Sequence, residues 1–377
     1  MSEIEQVLRR KLSMGDLTVI SSQTLPFEQF FEIAERRNPK RAFLFVSKIL
    51  GRHIPVKPSI MRNTYKSLAT MLPVGLPEPV LFIGMAETAV GLAAGVYQEA
   101  RVSIKESVFI TSTRHPVDGN LMCEFKENHS HATDHLIYWP ENLILANRAK
   151  KAKTMIIIDD EATTGNTFAN LYTALVNSGI DGIENLIAVT LTDWSQDSWR
   201  DKVECPTVTS ISLLKGHWTW DANTEAEPPQ MPTVNVTAKG SVDIVSPQCW
   251  GRLGMEESIC QIGHDIFVLP LEKVLVLGTS EFVWQPFLLA EKFEMEGADV
   301  YFSSTSRSPI AIGHAIEDAI TFYDNYGLGI PNFVYNVGSS FFDKIFLCCE
   351  TPFESIDPSL LTALGNVAKH VEIICYK

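Results

Sequence analysis

The segment Met155–Thr167, MIIIDDEATTGNT, constrains the fold of this chain more than any other. Four apolar residues make a strand short enough to be buried on both faces. Two adjacent carboxylates, Asp159 and Asp160, stand at its carboxyl end, and a small hydroxyl-rich loop then opens a helix. Such a strand belongs in a mostly parallel α/β sheet, where ligands bind at the carboxyl ends of the strands. The loop Ala162–Thr167 would present backbone N–H groups and the hydroxyls of Thr163, Thr164 and Thr167 at a helix N-terminus, with Asn166 among them. That is an anion site, and Gly165 permits the tight turn and close approach to a phosphate. The two aspartates would repel the phosphate but can accept hydrogen bonds from vicinal hydroxyls one sugar ring away. A monophosphate on one side and a diol on the other describe a ribose 5-phosphate.

The rest of the chain reads in the same grammar. Strand signals at Val80–Ile83, Lys105–Thr111, Thr154–Ile158 and Leu186–Leu191 alternate with helix signals at Ala89–Ala100 and up to Val176, with a stop at Gly179. Phe27–Arg37 has apolar residues at helical spacing. The polar, His-bearing stretch from Ser112 to Trp139 reads as a long lid or binding loop. Asp221–Pro232 is acidic and proline-containing, the best linker. The expected division is therefore 1–220, a linker at 221–245, and a smaller α/β domain at 246–377. That second domain holds the strand Lys273–Leu277, the helix Glu281–Glu296 and the strand Asp299–Ser303. No internal repeat of short fixed period is visible. Both halves use strand, Gly/Thr turn and helix, which ordinary α/β grammar explains.

Composition narrows the partner. The 377 residues carry 31 Lys+Arg against 45 Asp+Glu, a formal charge of −14. This field repels nucleic acid and anionic membranes, no basic run offsets it, and a small-molecule partner is favoured. The N-terminus lacks the apolar core of a signal peptide and no run is long enough to span a membrane, so a cytoplasmic protein is expected. Seven scattered cysteines without a CxxC pair read as reduced thiols.

MIIIDDEATTGNT closely resembles the phosphoribosyl pyrophosphate (PRPP) motif of type I phosphoribosyltransferases: four apolar residues, two acids, two variable positions, Thr-Thr-Gly, and Thr two residues later. Every constrained position matches. Upstream, LFIGMAETAVGL (Leu81–Leu92) resembles that family's pyrophosphate loop, in which the N–H groups of Ala86, Glu87 and Thr88 would face the leaving group. The stretch Ser112–Trp139 falls where the family has its flexible catalytic loop, with Arg114, Lys126, His129 and His131 as cations for pyrophosphate. A closer resemblance covers nearly the whole chain. Asn38–Pro58 and Ser304–Ile310 (STSRSPI) look like parts of a bacterial two-domain family associated with tellurium-resistance and stress gene clusters. Its members join a phosphoribosyltransferase domain to a C-terminal TRSP domain, and here Ser306 stands for the Thr of Thr-Arg-Ser-Pro.

The resemblance implies a type I phosphoribosyltransferase fold, a sheet with flanking helices and a hood built from the N-terminal segment and the stretch after Asp193. It implies transfer of ribose 5-phosphate from PRPP to a nitrogenous acceptor, with Asp160 assisting the acceptor's proton and Asp159 holding the diol. Asp193 and Trp194 would touch the acceptor. Mg²⁺ would be carried by PRPP itself rather than by a protein cage. The histidines of HSHATDH, with Asp134 or Cys123, also admit a zinc reading, against the plainer one of a loop with spare histidines. In the second domain, Arg307 with Thr279 and Ser280 either holds a second phosphate or carboxylate, or pairs structurally with Glu281 or Asp299. Trp250–Gly254 would line a cleft between the domains. A homodimer is compatible with this reading. A PRPP-binding regulator without catalysis is the alternative from another class, and a scaffold recruiting partner enzymes is the third.

Overall fold

Three strands are buried at every position: Val80–Gly84, Ser107–Thr111 and Thr154–Ile158. Strands of this kind need a cover on both faces, which is why they read as mostly apolar runs rather than alternating ones. The computed structural model describes residues 5–23, 26–36, 41–125, 135–227, 229, 240–244, 250–257 and 259–376. By their internal contacts the residues fall into two units. One, called inner for its place in the sequence, comprises Arg62–Lys215 and Ser246–Ile259. The other, called outer, comprises Met1–Met61, Gly216–Val245 and Cys260–Lys377.

In the inner unit a sheet runs in the order Glu161–Ala162, Asn185–Asp193, Thr154–Ile158, Val80–Gly84, Ser107–Thr111, and Thr207–Lys215 also pairs with Asn185–Asp193. Every pairing is parallel. The first strand in the sequence, Val80–Gly84, has its successor on one side and Thr154–Ile158 on the other. The chain thus reverses its winding between these two strands, which opens a crevice at their carboxyl ends. The helix Asn166–Asn177 buries Phe168, Leu171, Tyr172 and Leu175, a stripe at i, i+3, i+4, i+7. Leu143–Lys150 is capped by Asn142, whose side-chain oxygen accepts from the N–H groups of Ile144 and Leu145.

The outer unit has its own parallel sheet, in the order Asp299–Ser304, Lys273–Gly278, Phe342–Cys349, Ala368–Cys375. The helix Trp284–Met295 packs on it, and Ala319–Tyr323 pairs antiparallel with Pro331–Tyr335. An antiparallel trio, Gln6–Leu12, Gly15–Ser21 and His217–Ala222, completes its strands together with the pair Phe31–Glu35 and Phe43–Ser47. Among the described residues no helix is long and apolar enough to cross a membrane.

Three expectations change. The contiguous division 1–220 and 246–377 is not how the contacts fall, since Met1–Met61 groups with the outer unit and Ser246–Ile259 with the inner one. The N-terminal part of the expected hood goes with it. The expected helix Phe27–Arg37 is not helical over its described residues 27–36, and Arg37 lies outside them. A 3-10 turn at Phe27–Gln29 leads into the strand Phe31–Glu35, because its carbonyl and N–H groups find partners across Phe43–Ser47. The buried Glu35 carboxylate, which accepts from the Ser13 N–H at 2.7 Å, fixes that strand further. A nonlocal ladder outweighs helical period here. Finally, the stretch after Ser112 is not a structureless loop: Leu121–Phe125 and His135–Tyr138 form an antiparallel pair.

Candidate functional site

At the carboxyl end of Thr154–Ile158 the chain carries Asp159 and Asp160, both half-buried. The backbone here is held from both sides. Met85 N–H donates to Ile158 O (3.0 Å) and Asp159 N–H to Val189 O (3.0 Å), while Asp160 O accepts from the N–H groups of Leu191 and Thr192. Asp159 Oδ1 accepts from Asp160 N–H at 2.9 Å, which orients one carboxylate beside the other. The loop then runs through Glu161, to whose carboxylate Thr163 Oγ1 donates (3.1 Å), to Gly165 at the helix N-cap with φ +69°. A Cβ on Gly165 would lie 2.0 Å from Cδ1 of Trp199. The hydroxyl loop is therefore seated directly against a fully buried indole. Thr164 is exposed, and Asn166 accepts at its side-chain oxygen from Lys202 Nζ (2.6 Å).

Across the crevice, Gly84 leads into Met85-Ala86-Glu87-Thr88 before the helix Val90–Ala100. Ser112 pins this turn, its N–H donating to Gly84 O (2.9 Å) and its Oγ accepting from Ala86 N–H (2.9 Å). Glu87 is buried. The Ala86–Glu87 peptide is cis. Arg114 follows on the same edge, half-buried two residues beyond Ser112.

The structure thus brings Asp159, Asp160, Ala162–Thr167 and Ala86–Thr88 to the carboxyl ends of two adjacent strands. Asp193 pairs in register with Ala162, and Trp194 N–H donates to Ala162 O at 2.8 Å. Both side chains are buried, and the Asp193 carboxylate accepts from the N–H and hydroxyl of Ser195. Lys126, His129 and His131 lie outside the described residues, as does Asp134. His135 is 1 % exposed, stacks on Phe125 at 4.8 Å, and meets Ser112 Oγ through Nδ1 at 3.2 Å. Burial pushes the Cys123 thiol up to about 11. Among the described residues no group of three or more His, Cys, Asp and Glu is placed to hold a metal ion. The sequence reading missed Ser112, Trp199 and Lys202. Only Ser112 carried a signal, as a hydroxyl immediately after the strand Ser107–Thr111.

In the outer unit, Thr279 and Ser280 stand at the carboxyl end of Lys273–Gly278, buried, with Ser280 at φ +51°. Thr279 Oγ1 donates to Cys348 O (3.2 Å), and Ser280 O accepts from Arg52 Nη1 (2.6 Å). Asp299, one of the partners weighed for Arg307, takes Lys57 instead at 2.9 Å. The segment Trp250–Gly254, expected at a cleft between domains, lies along Ser107–Thr111 of the inner unit. His53 is buried next to Arg52, and burial together with that guanidinium lowers its imidazole to about 3. The unfolded chain protonates this histidine near 6.5 and the folded one does not. Stability should therefore fall as pH drops below 6.5, by up to about 1.4 kcal/mol per pH unit, until the folded value is reached. Thermal unfolding between pH 6.5 and 4.5 should be flatter for His53→Gln than for the unaltered chain; identical slopes would remove His53 as the cause.

Residues 30–217 match the family model described as phosphoribosyl transferase, and residues 252–364 match the TRSP domain found C-terminal to it. No curated protein matches this chain. Among solved structures, adenine phosphoribosyltransferase from Thermoanaerobacter pseudethanolicus is 13% identical over 49% of this chain and 96% of its own, with a TM-score of 0.35. The enzyme from Trypanosoma brucei, in complex with AMP, pyrophosphate and ribose-5-phosphate, is 13% identical over 51% of this chain and 83% of its own (TM-score 0.34). A hypoxanthine phosphoribosyltransferase from Staphylococcus aureus is 16% identical over 44% and 79% (TM-score 0.27). The two family matches, in this order along one chain, place the protein in the family that joins a phosphoribosyl transferase domain to a C-terminal TRSP domain.

Proposed function

We propose that the inner unit transfers the 5-phosphoribosyl group of PRPP to a nitrogenous, base-like acceptor and releases pyrophosphate. The observation that supports this most is the pairing of Asp159 and Asp160 with the loop Ala162–Thr167 at the end of one strand, beside Ala86–Thr88 at the end of the next. The 5-phosphate sits on the helix N-terminus, with Lys202 at the loop's edge. The ribose diol donates to Asp159 and Asp160, and the pyrophosphate faces the turn that Ser112 pins. An acceptor nitrogen attacks C1 of the ribose as the C1–O bond breaks. The bonding pair leaves with pyrophosphate, and Asp160 takes the proton from the acceptor. The carboxylates also tolerate the positive charge that develops on the ring, so catalysis rests on positioning and electrostatics. Arg114 balances charge on the leaving group, with Lys126 and His129 as further cations, while Asp193 and Trp194 shape the acceptor side. The carboxylate and hydroxyl oxygens here are hard donors that suit a magnesium complex of PRPP, and the Mg²⁺ neutralises diphosphate charge when bound.

The test is pyrophosphate release from magnesium PRPP with a panel of purine, pyrimidine and smaller heterocyclic acceptors. Acceptor-dependent release is expected. Tight PRPP binding with no turnover on any acceptor would replace the enzyme by a PRPP-binding regulator.

A further inference from the structure

The two units agree in details that a common α/β plan does not require. In the outer unit Thr305 N–H donates to Gly278 O (2.9 Å) and Ser280 N–H donates to Thr305 Oγ1 (2.9 Å). These reproduce, residue for residue, the bonds of Ser112 with Gly84 and Ala86. One position on, Thr113 exchanges both backbone hydrogen bonds with Leu136, and Ser306 does the same with Phe333. Next, Thr113 Oγ1 accepts from His115 N–H (3.0 Å) and Ser306 Oγ from Ser308 N–H (3.2 Å). The residues involved read Ser-Thr-Arg-His-Pro at 112–116 and Thr-Ser-Arg-Ser-Pro at 305–309. A buried glutamate stands three residues after each glycine, Glu87 and Glu281, and an acid follows each facing strand, Asp159 and Glu350. Both sheets reverse their winding at the same place, and in both an antiparallel pair follows the arginine.

The sheet edges agree as well. Phe109 exchanges backbone bonds with Met255, and Phe302 with Val56. Each partner segment begins with Gly-Arg, Gly251-Arg252 and Gly51-Arg52, with φ of +76° and +66° at the glycines. The Gly51–Val56 segment precedes the inner unit in the chain yet belongs to the outer one, and the Gly251–Met255 segment shows the converse. The similarity of the two halves, read from sequence as common grammar, is thus a repeat with exchanged edge segments.

We propose that the outer unit is a second phosphoribosyl-transferase-type scaffold that keeps the diphosphate side of the site and has lost the ribose 5-phosphate side, leaving a second site for a diphosphate group. This rests on the reading of Ala86–Thr88 as the pyrophosphate side of the inner site. The kept side comprises Ser280 and Glu281, the counterparts of Ala86 and Glu87, with Phe282 in the place of Thr88, together with Arg307 and the buried Arg52, whose Nη1 also donates to Ser304 Oγ (3.2 Å). The lost side is the loop after Phe342–Cys349. There Glu350-Thr351-Pro352-Phe353 replaces the two acids and Thr-Thr-Gly. Tyr326 OH donates to the Glu350 carboxylate (2.8 Å), Thr351 Oγ1 is held by Asn325 Nδ2 (2.7 Å), and Pro352 has no N–H to offer a phosphate. A diphosphate enters this site but a ribosyl phosphate has nothing to grip, so no transfer takes place in it.

Calorimetric titration of the full chain with magnesium pyrophosphate should show two binding events. Arg307→Gln should weaken one of them at least tenfold while PRPP turnover and the melting temperature stay unchanged. Arg307→Lys, which keeps the charge but not the fork, should weaken the same event less. Asp159→Asn with Asp160→Asn should weaken PRPP binding and leave the event that depends on Arg307. One event in the unaltered chain, or two that both survive Arg307→Gln, overturns the second site. Loss of turnover on every acceptor, with two pyrophosphate events retained, would instead sink the transferase reading and leave this one standing.

Discussion

Asp160→Asn is expected to lower acceptor-dependent pyrophosphate release by about a thousandfold, within the range for removing a positioned general base. The fold should not suffer, because the backbone of Asp160 is fixed without its side chain. Its carbonyl accepts from Leu191 and Thr192, and its N–H donates to Asp159. A carboxamide in the same place still accepts a hydrogen bond from the diol, so PRPP affinity should change by less than the rate does. Asp159→Ala should behave differently. It deprives the half-buried Asp160 N–H of its acceptor, at a cost of about 1 kcal/mol, and so perturbs PRPP binding and stability together. Single-turnover pyrophosphate release and calorimetric PRPP binding separate these outcomes. Unchanged turnover in Asp160→Asn would remove Asp160 from the chemistry.

The second large effect is expected at Gly165. Its φ of +69° costs an L-residue about 1 kcal/mol or more, and any Cβ would meet the Trp199 ring at 2.0 to 2.8 Å. Trp199 is fully buried against Phe168 and cannot swing aside into solvent. Overpacking of this kind adds roughly 1–3 kcal/mol. Gly165→Val should therefore lower the unfolding temperature by several degrees and weaken PRPP binding at least a hundredfold, since the loop must lift off the indole and lose its phosphate geometry. Trp199→Leu should restore part of the affinity in combination, a coupling that a double-mutant cycle measures. If Gly165→Val binds PRPP as the unaltered chain does, the loop is not the phosphate seat.

Much of the inner unit was legible because its signals are local. An all-apolar run bounded by acids and a glycine loop can be little else than a buried strand feeding a helix. The strands at 80–84, 107–111 and 154–158 lie within two residues of where the periodicity puts them. Phe27–Arg37 misled because its apolar spacing suits a helix as well as a strand, and the deciding ladder with Phe43–Ser47 lies outside any local window. Trp199 behind Gly165 was invisible for the same reason. Thirty-three residues of intervening chain carry no mark of that contact.

The sequence by itself determined the chemistry of one loop, because phosphate and diol recognition need particular atoms at adjacent positions: hydroxyls, a glycine and two carboxylates in a row. It also determined the order of the two family domains along the chain. Tertiary structure alone decided which segments complete which unit. Edge pairing is made of backbone hydrogen bonds that any residue can supply, so the sequence of Gly51–Val56 does not say that it pairs with Phe302 rather than with a strand of the inner unit that follows it in the chain. The repeat was hidden likewise. What the two units share is a set of hydrogen bonds between Ser or Thr oxygens and specific N–H groups, and a five-residue string becomes evidence only when both copies are seen making the same bonds.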